Sequence, residues 1–173
     1  MKSAAIIQEF KEQIIYRMDE SSRMINLSLE KVSEEEVWKR PTETSNSIGN
    51  LILHLCGNIT QYAVASLGNQ EDMRQRDLEF EIKDGLTKAE LRNKLNEVVN
   101  KAKETILNAS SEELMRKREV QGFHFTGIGI LIHVTEHYSY HTGQIAFWVK
   151  QLKNKRDLGF YEGIDLNIKN KDT

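Results

Sequence analysis

The chain has 173 residues, 39% of them hydrophobic, and its 24 basic and 26 acidic side chains leave a formal charge of -2. That is enough apolar material for one domain spanning 1–173 with a real core, and too little chain for two comfortable ones. The charges are interspersed with no basic block, which excludes a nucleic-acid footprint.

The opening stretch "MKSAAIIQEFKEQIIYRMDE" alternates apolar and charged residues, so it is neither a signal peptide nor a membrane span, and the chain reads as cytoplasmic. From about Ser3 to Lys31, Ile6, Ile7, Phe10, Ile14, Met18, Ile25 and Leu29 recur at threes and fours, which predicts one long amphipathic helix. Ser33 and Glu36 form a capping box over a turn or two that must close before Pro41. A second helix is expected from about Ile48 to Leu67, stopped by Gly68-Asn69. "QEDMRQRDLEFEIKDG" is dense in charge and weak in periodicity, so an ordered loop or short turns are expected over 70–85.

The box Thr87-Lys-Ala-Glu90 opens a third helix carrying Leu91, Leu95, Val98, Val99, Ala102 and Ile106, and Ser110 with Glu113 can cap a short turn after it. A fourth helix is expected from about Gly127 to Leu152, followed by an irregular tail from about 155. One proline in the whole chain and no convincing β alternation favour long helices, hence an all-α four-helix bundle. The lone cysteine, Cys56, sits among Leu53, Leu55 and Ile59 and reads as a buried structural thiol.

Three of the five histidines, His133, His137 and His141, stand at i, i+4 and i+8 in the last helix. That spacing stacks them on one side, next to Val134, Ile145 and Trp148. Buried imidazoles need partners, and a shared divalent ion that accepts a lone pair from each is one solution. Ordinary half-buried histidines with backbone or water partners are the other. Two ligands are too few for zinc or a similar ion, so a third must come from another helix, and His54 has the strongest helical setting. Ser47, Asn50, His54, Asn58 and Gln61 make a polar seam along the second helix, and an exposed polar face with a chance histidine is the competing reading. His137 belongs to either possible pair on the last helix. Gly143 leaves room for substrate or for a close helix contact, whereas Glu136 lies about 100° around the helix from His137 and is no candidate base. Arg74 and Arg76 offer carboxylate recognition, but ion pairs with Asp72, Asp77 or Glu79 are favoured.

"NSIGNLILHLCGNITQY", "EDMRQRDLEF" and "HVTEHYSYHTGQIAF" together resemble the DinB/YfiT-like superfamily, and the resemblance covers most of the chain. It implies a bundle of up-down-down-up type with a long crossover. It also implies a divalent metal, zinc or nickel first, held by His54, His137 and His141, with His133 outside the triad. Characterised relatives use low-molecular-weight thiols, among them S-transferases and a mycothiol-dependent isomerase; others are classed as hydrolases, and many are homodimers. The implied function is a metal-dependent enzyme that activates a thiol, or water, against a small electrophile. A non-catalytic metal-binding or stress-response dimer and a plain helical interaction module are the alternatives. Tyr140, Phe147 and Trp148 on the last helix agree with dimerisation.

Overall fold

Four long helices account for most of the chain in the computed structural model, which describes residues 2–169. α1, Lys2–Lys31, buries Ile14, Met18, Ile25 and Leu29, the stripe expected of it, while Ile6 at its start stays exposed. α2, Glu34–Trp38, is the single turn capped by Ser33 and Glu36 in a reciprocal box. α3, Ile48–Ile59, is capped by Ser47 and Asn50 and is buried all round except at Gly57. It continues without a break as a π-helical stretch, Thr60–Leu67. The stop falls at Gly68-Asn69, and the left-handed residue is Asn69 (φ 55°), a role asparagine fills better than most side chains.

α4, Leu78–Glu81, is a short turn inside the charged segment. α5, Lys88–Asn108, starts from the Thr87/Glu90 box and buries Leu91, Leu95, Val99, Ala102 and Ile106. α6, Ser111–Met115, has the Ser110 hydroxyl accepting from the Glu113 amide. Then comes an element absent from the sequence reading: β1, Lys117–Val120, pairs antiparallel with β2, Phe123–Thr126. The two-residue turn between them, Gln121-Gly122, has positive φ at both positions, the twist that matches a hairpin. The all-α expectation is corrected by this hairpin. Four-residue strands are too short to show alternation, and Gln-Gly is a weaker turn signal than Asn-Gly. α7, Gly127–Lys153, follows directly, with Thr126 as its N-cap. Gly127 is required by a close approach, because a Cβ there would stand 2.6 Å from the Glu113 carbonyl oxygen.

α1 packs on α7 and α5, and α3 packs on α5 and α7. One continuous hydrophobic core runs between them. α1 and α5 cap each other. The Lys11 ammonium is buried and donates to the carbonyls of Leu107 (3.0 Å) and Ala109 (2.6 Å) at the end of α5. Lys88 returns the contact to Val32 at the end of α1 (2.6 Å). Each cation thus meets carbonyls that their own helix leaves unpaired. No helix among the described residues is long and apolar enough to cross a membrane.

Candidate metal centre

The polar seam of α3 is not a solvent face. Ser47, Asn50, His54 and Asn58 are all buried, each held by a specific partner or turned toward α7. Asn50 donates to the carbonyls of Glu79 (3.0 Å) and Ile82 (2.7 Å), and Arg40 donates to the carbonyl of Phe80 (2.9 Å). Gln61 binds Asp72 (2.6 Å) and receives an N–H from Arg74 (2.8 Å). The segment 72–82 is thereby laced to α3 along three turns.

Facing α7, the ring nitrogens of His54, His137 and His141 gather so that one atom from each lies within 4.8 Å of the others. His54 Nε2 and His137 Nε2 stand 3.0 Å apart, and the three ring centroids are 4.5–5.0 Å from one another. Four-coordinate ligands about 2.0–2.1 Å from one ion lie roughly 3.3–3.4 Å apart, so the cluster fits a divalent cation after small side-chain adjustments. The outer nitrogens are already engaged: His54 Nδ1 lies 2.9 Å from Glu79 Oε2, and His141 Nδ1 lies 2.7 Å from Gln144 Oε1. Arg74 grips the same carboxylate, Nε to Oε1 at 2.7 Å and Nη2 to Oε2 at 2.9 Å, with only 4% of its side chain exposed.

The electrostatics suit a cation. Burial, helped by the neighbouring His141, His54 and His133, pushes His137 down to about 3, so its ring is neutral over the physiological range. Burial also lowers His141, against the opposing hydrogen bond that its Nδ1–H donates to Gln144 Oε1. Burial would raise Glu79, but the hydrogen bonds from Arg74 and His54 outweigh it and keep the carboxylate ionised. Neutral imidazoles and no competing proton are what ligation requires.

His133 lies one turn away, stacked on Tyr62 at 4.2 Å and on His137 at 5.5 Å, with Phe125 of the hairpin at 5.9 Å. Its Nε2 is 3.5 Å from Asn58 Nδ2. It stands beside the three-histidine cluster and is not part of it. Glu136 is exposed and outside the cluster, and a Cβ added at Gly143 would meet open space, so that glycine serves no close helix contact. Arg74 makes the ion pair favoured for it with Glu79, whereas Arg76 lies over the Phe80 ring at 5.0 Å. Cys56 is buried, and burial drives its thiol up to about 12, which removes it from any chemistry here. Glu79 as the partner of His54 was not legible from the sequence. It lies 25 residues away in a segment without periodicity, and the one signal that could have found it is the general rule that a ligating histidine needs an outer acceptor.

Residues 5–159 match the family described as "Protein of unknown function (DUF1572)". The chain belongs to this family. No curated protein matches it significantly. Among solved structures, a DinB-like protein (YjoA) from Bacillus subtilis is 20% identical, covering 83% of this chain and 94% of that one with a TM-score of 0.64. A conserved protein from Enterococcus faecalis is 14% identical over 83% and 97% of the two chains, TM-score 0.71. A mutant of the mycothiol-dependent maleylpyruvate isomerase is 15% identical over 84% of this chain and 66% of that one, TM-score 0.59. The DinB-like fold expected from the sequence is the fold of the DUF1572 chain.

Proposed function

We propose that this DUF1572 protein is a metal-dependent enzyme in which His54, His137 and His141 hold a divalent ion, zinc or nickel, for chemistry on a low-molecular-weight thiol. The observation that carries this is the convergence of three imidazoles from two helices, with His54 and His141 engaged at their outer nitrogens and burial holding His137 down to about 3. A bound divalent ion supplies Lewis acidity, lowering the pKa of a thiol or water at an open coordination position. The chain's own residues do the rest. Gln144 holds the His141 ring through its Nδ1, and the Phe80 ring packs against His54 with centroids 4.9 Å apart. A fold shared with a mycothiol-dependent isomerase agrees with a thiol cosubstrate. Attack on a small electrophile, of the S-transferase type, is the reaction put forward, with hydrolysis as the variant in which water replaces the thiol.

The same reading takes 1–173 as one cytoplasmic domain with up-down-down-up helices and a long crossover. Contacts support the helix order: Lys11 meets the end of α5 and Lys88 the end of α1, while Asn58 faces His133 and His54 faces His137. Homodimerisation is proposed through the face bearing Tyr140 and Phe147, both more than 60% exposed. Light scattering at micromolar concentration is expected to report a dimer, and a monomer overturns that part.

The test of function is a thiol-transfer screen on metal-loaded, untagged protein against a panel of electrophiles. Turnover that disappears in His137→Ala supports an enzyme. Stoichiometric metal with no turnover on any thiol or water substrate favours the non-catalytic metal-binding alternative.

A further inference from the structure

His54 is the only member of the cluster contributed by α3, and its Nδ1 has two neighbours: Glu79 Oε2 at 2.9 Å and Arg74 Nη2 at 3.2 Å. Only one of them can share the ring's single in-plane position. Glu79 is gripped by Arg74 through both oxygens, the geometry of a guanidinium on a carboxylate, so it is an acceptor and nothing else. Two lone pairs opposed at 2.9 Å repel; a proton on Nδ1 resolves the contact. The ring's lone pair is then on Nε2, the atom 3.0 Å from His137.

The sequence makes room for this arrangement at one position. Gly57, one turn after His54, lies directly beneath the pair: a Cβ there would overlap Glu79 Oε1 and stand 2.8 Å from Arg74 Nε. It is the one residue of α3 that is not buried, and its missing side chain is the slot through which Glu79 reaches His54. The surrounding segment is fixed by Asn50, Arg40 and Gln61.

We propose that Glu79, held by Arg74 over Gly57, is the positioning residue of the centre: it fixes His54 as the Nδ1–H tautomer and so turns the Nε2 lone pair toward His137 and His141. This rests on the reading of the three histidines as a metal site. Such outer partners raise ligand basicity and fix ring orientation, and their loss costs about 10–100-fold in metal affinity.

Two measurements decide it. In the metal-free wild-type protein, 15N-edited NMR of the histidine rings reads the His54 tautomer with no substitution at all: Nδ1–H is expected, and Nε2–H overturns the proposal. Zinc affinity is then measured by competition with a chromogenic chelator. Glu79→Ala is expected to bind about 10–100-fold more weakly, with Glu79→Gln, which keeps an acceptor, lying between it and wild type. Where Glu79→Ala does not fold, Glu79→Gln stands in its place, and affinity within twofold of wild type overturns the proposal. His137→Ala separates the two claims: if it binds zinc as wild type does, the metal reading fails; if it loses zinc while Glu79→Ala does not, the positioning role alone fails.

Discussion

At the scale of single residues, the polar side chains of α3 are accounted for by partners across the chain. Asn50 pins the carbonyls of 79–82, His54 joins Glu79 to the cluster, and Asn58 meets His133 with its own carbonyl oxygen buried and unpartnered. The seam itself was legible in the sequence as steps of three and four. What was not legible is that two of its members face a loop and two face α7, because sequence spacing gives a helix face and not what covers it. Cys56 on the same helix follows the simpler rule. Buried and held at about 12, it should resist a thiol reagent such as DTNB in the folded protein and react fully in denaturant. Rapid modification under native conditions would contradict its placement. His133 should also prove separable from the cluster: His133→Ala is expected to keep most of the bound metal, because its ring stacks on His137 without joining the three facing nitrogens.

At the scale of elements, periodicity and caps carried most of the information. The boxes at Ser33 and Thr87 set helix starts that the structure reproduces, and the second helix begins at Ile48 as expected, there on a Ser47/Asn50 box that the structure adds. Lys11 shows where that reading stops. It sits at a charged position of α1 between Phe10 and Ile14, yet it is buried because the C-terminal end of α5 lies against it. Hydrogen bonds from a charged donor are worth about 1.5–3 kcal/mol. Lys11→Met keeps the stem and removes the donor, so it should destabilise the protein by about 1–2 kcal/mol, a fall in Tm of roughly 2–8 °C for a chain this long. An unchanged melt would mean that the carbonyls of Leu107 and Ala109 are satisfied without it. The hairpin was missed for the opposite reason. Its strands are shorter than any reliable pattern, and its position is fixed by Gly127 lying against α6 and by Phe125 reaching the aromatic stack of His133.

At the scale of the whole molecule, the centre ties stability to pH. In the metal-free protein His137 is held near 3 against 6.5 when exposed, so between those values the unfolded chain binds the extra proton and stability falls as pH falls. His133 and His141 are lowered in the same direction, and the lowered Glu79 adds to the loss once the pH drops into the carboxylate range. Each group contributes at most about 1.4 kcal/mol per pH unit. Thermal melts of chelator-treated protein should therefore show Tm decreasing from pH 7 to pH 4, and a flat or rising Tm would contradict a buried neutral cluster. Added zinc should raise Tm at pH 7 by mass action and lose that effect as the ligands protonate. The most direct measurement of the central claim is the metal content, by elemental analysis, of protein purified without a histidine tag. One divalent ion per chain is predicted for wild type and for His133→Ala, and none in stoichiometric amount for His54→Ala, His137→Ala or His141→Ala; metal content that is unchanged in all three, or that follows His133 in place of His141, would contradict it.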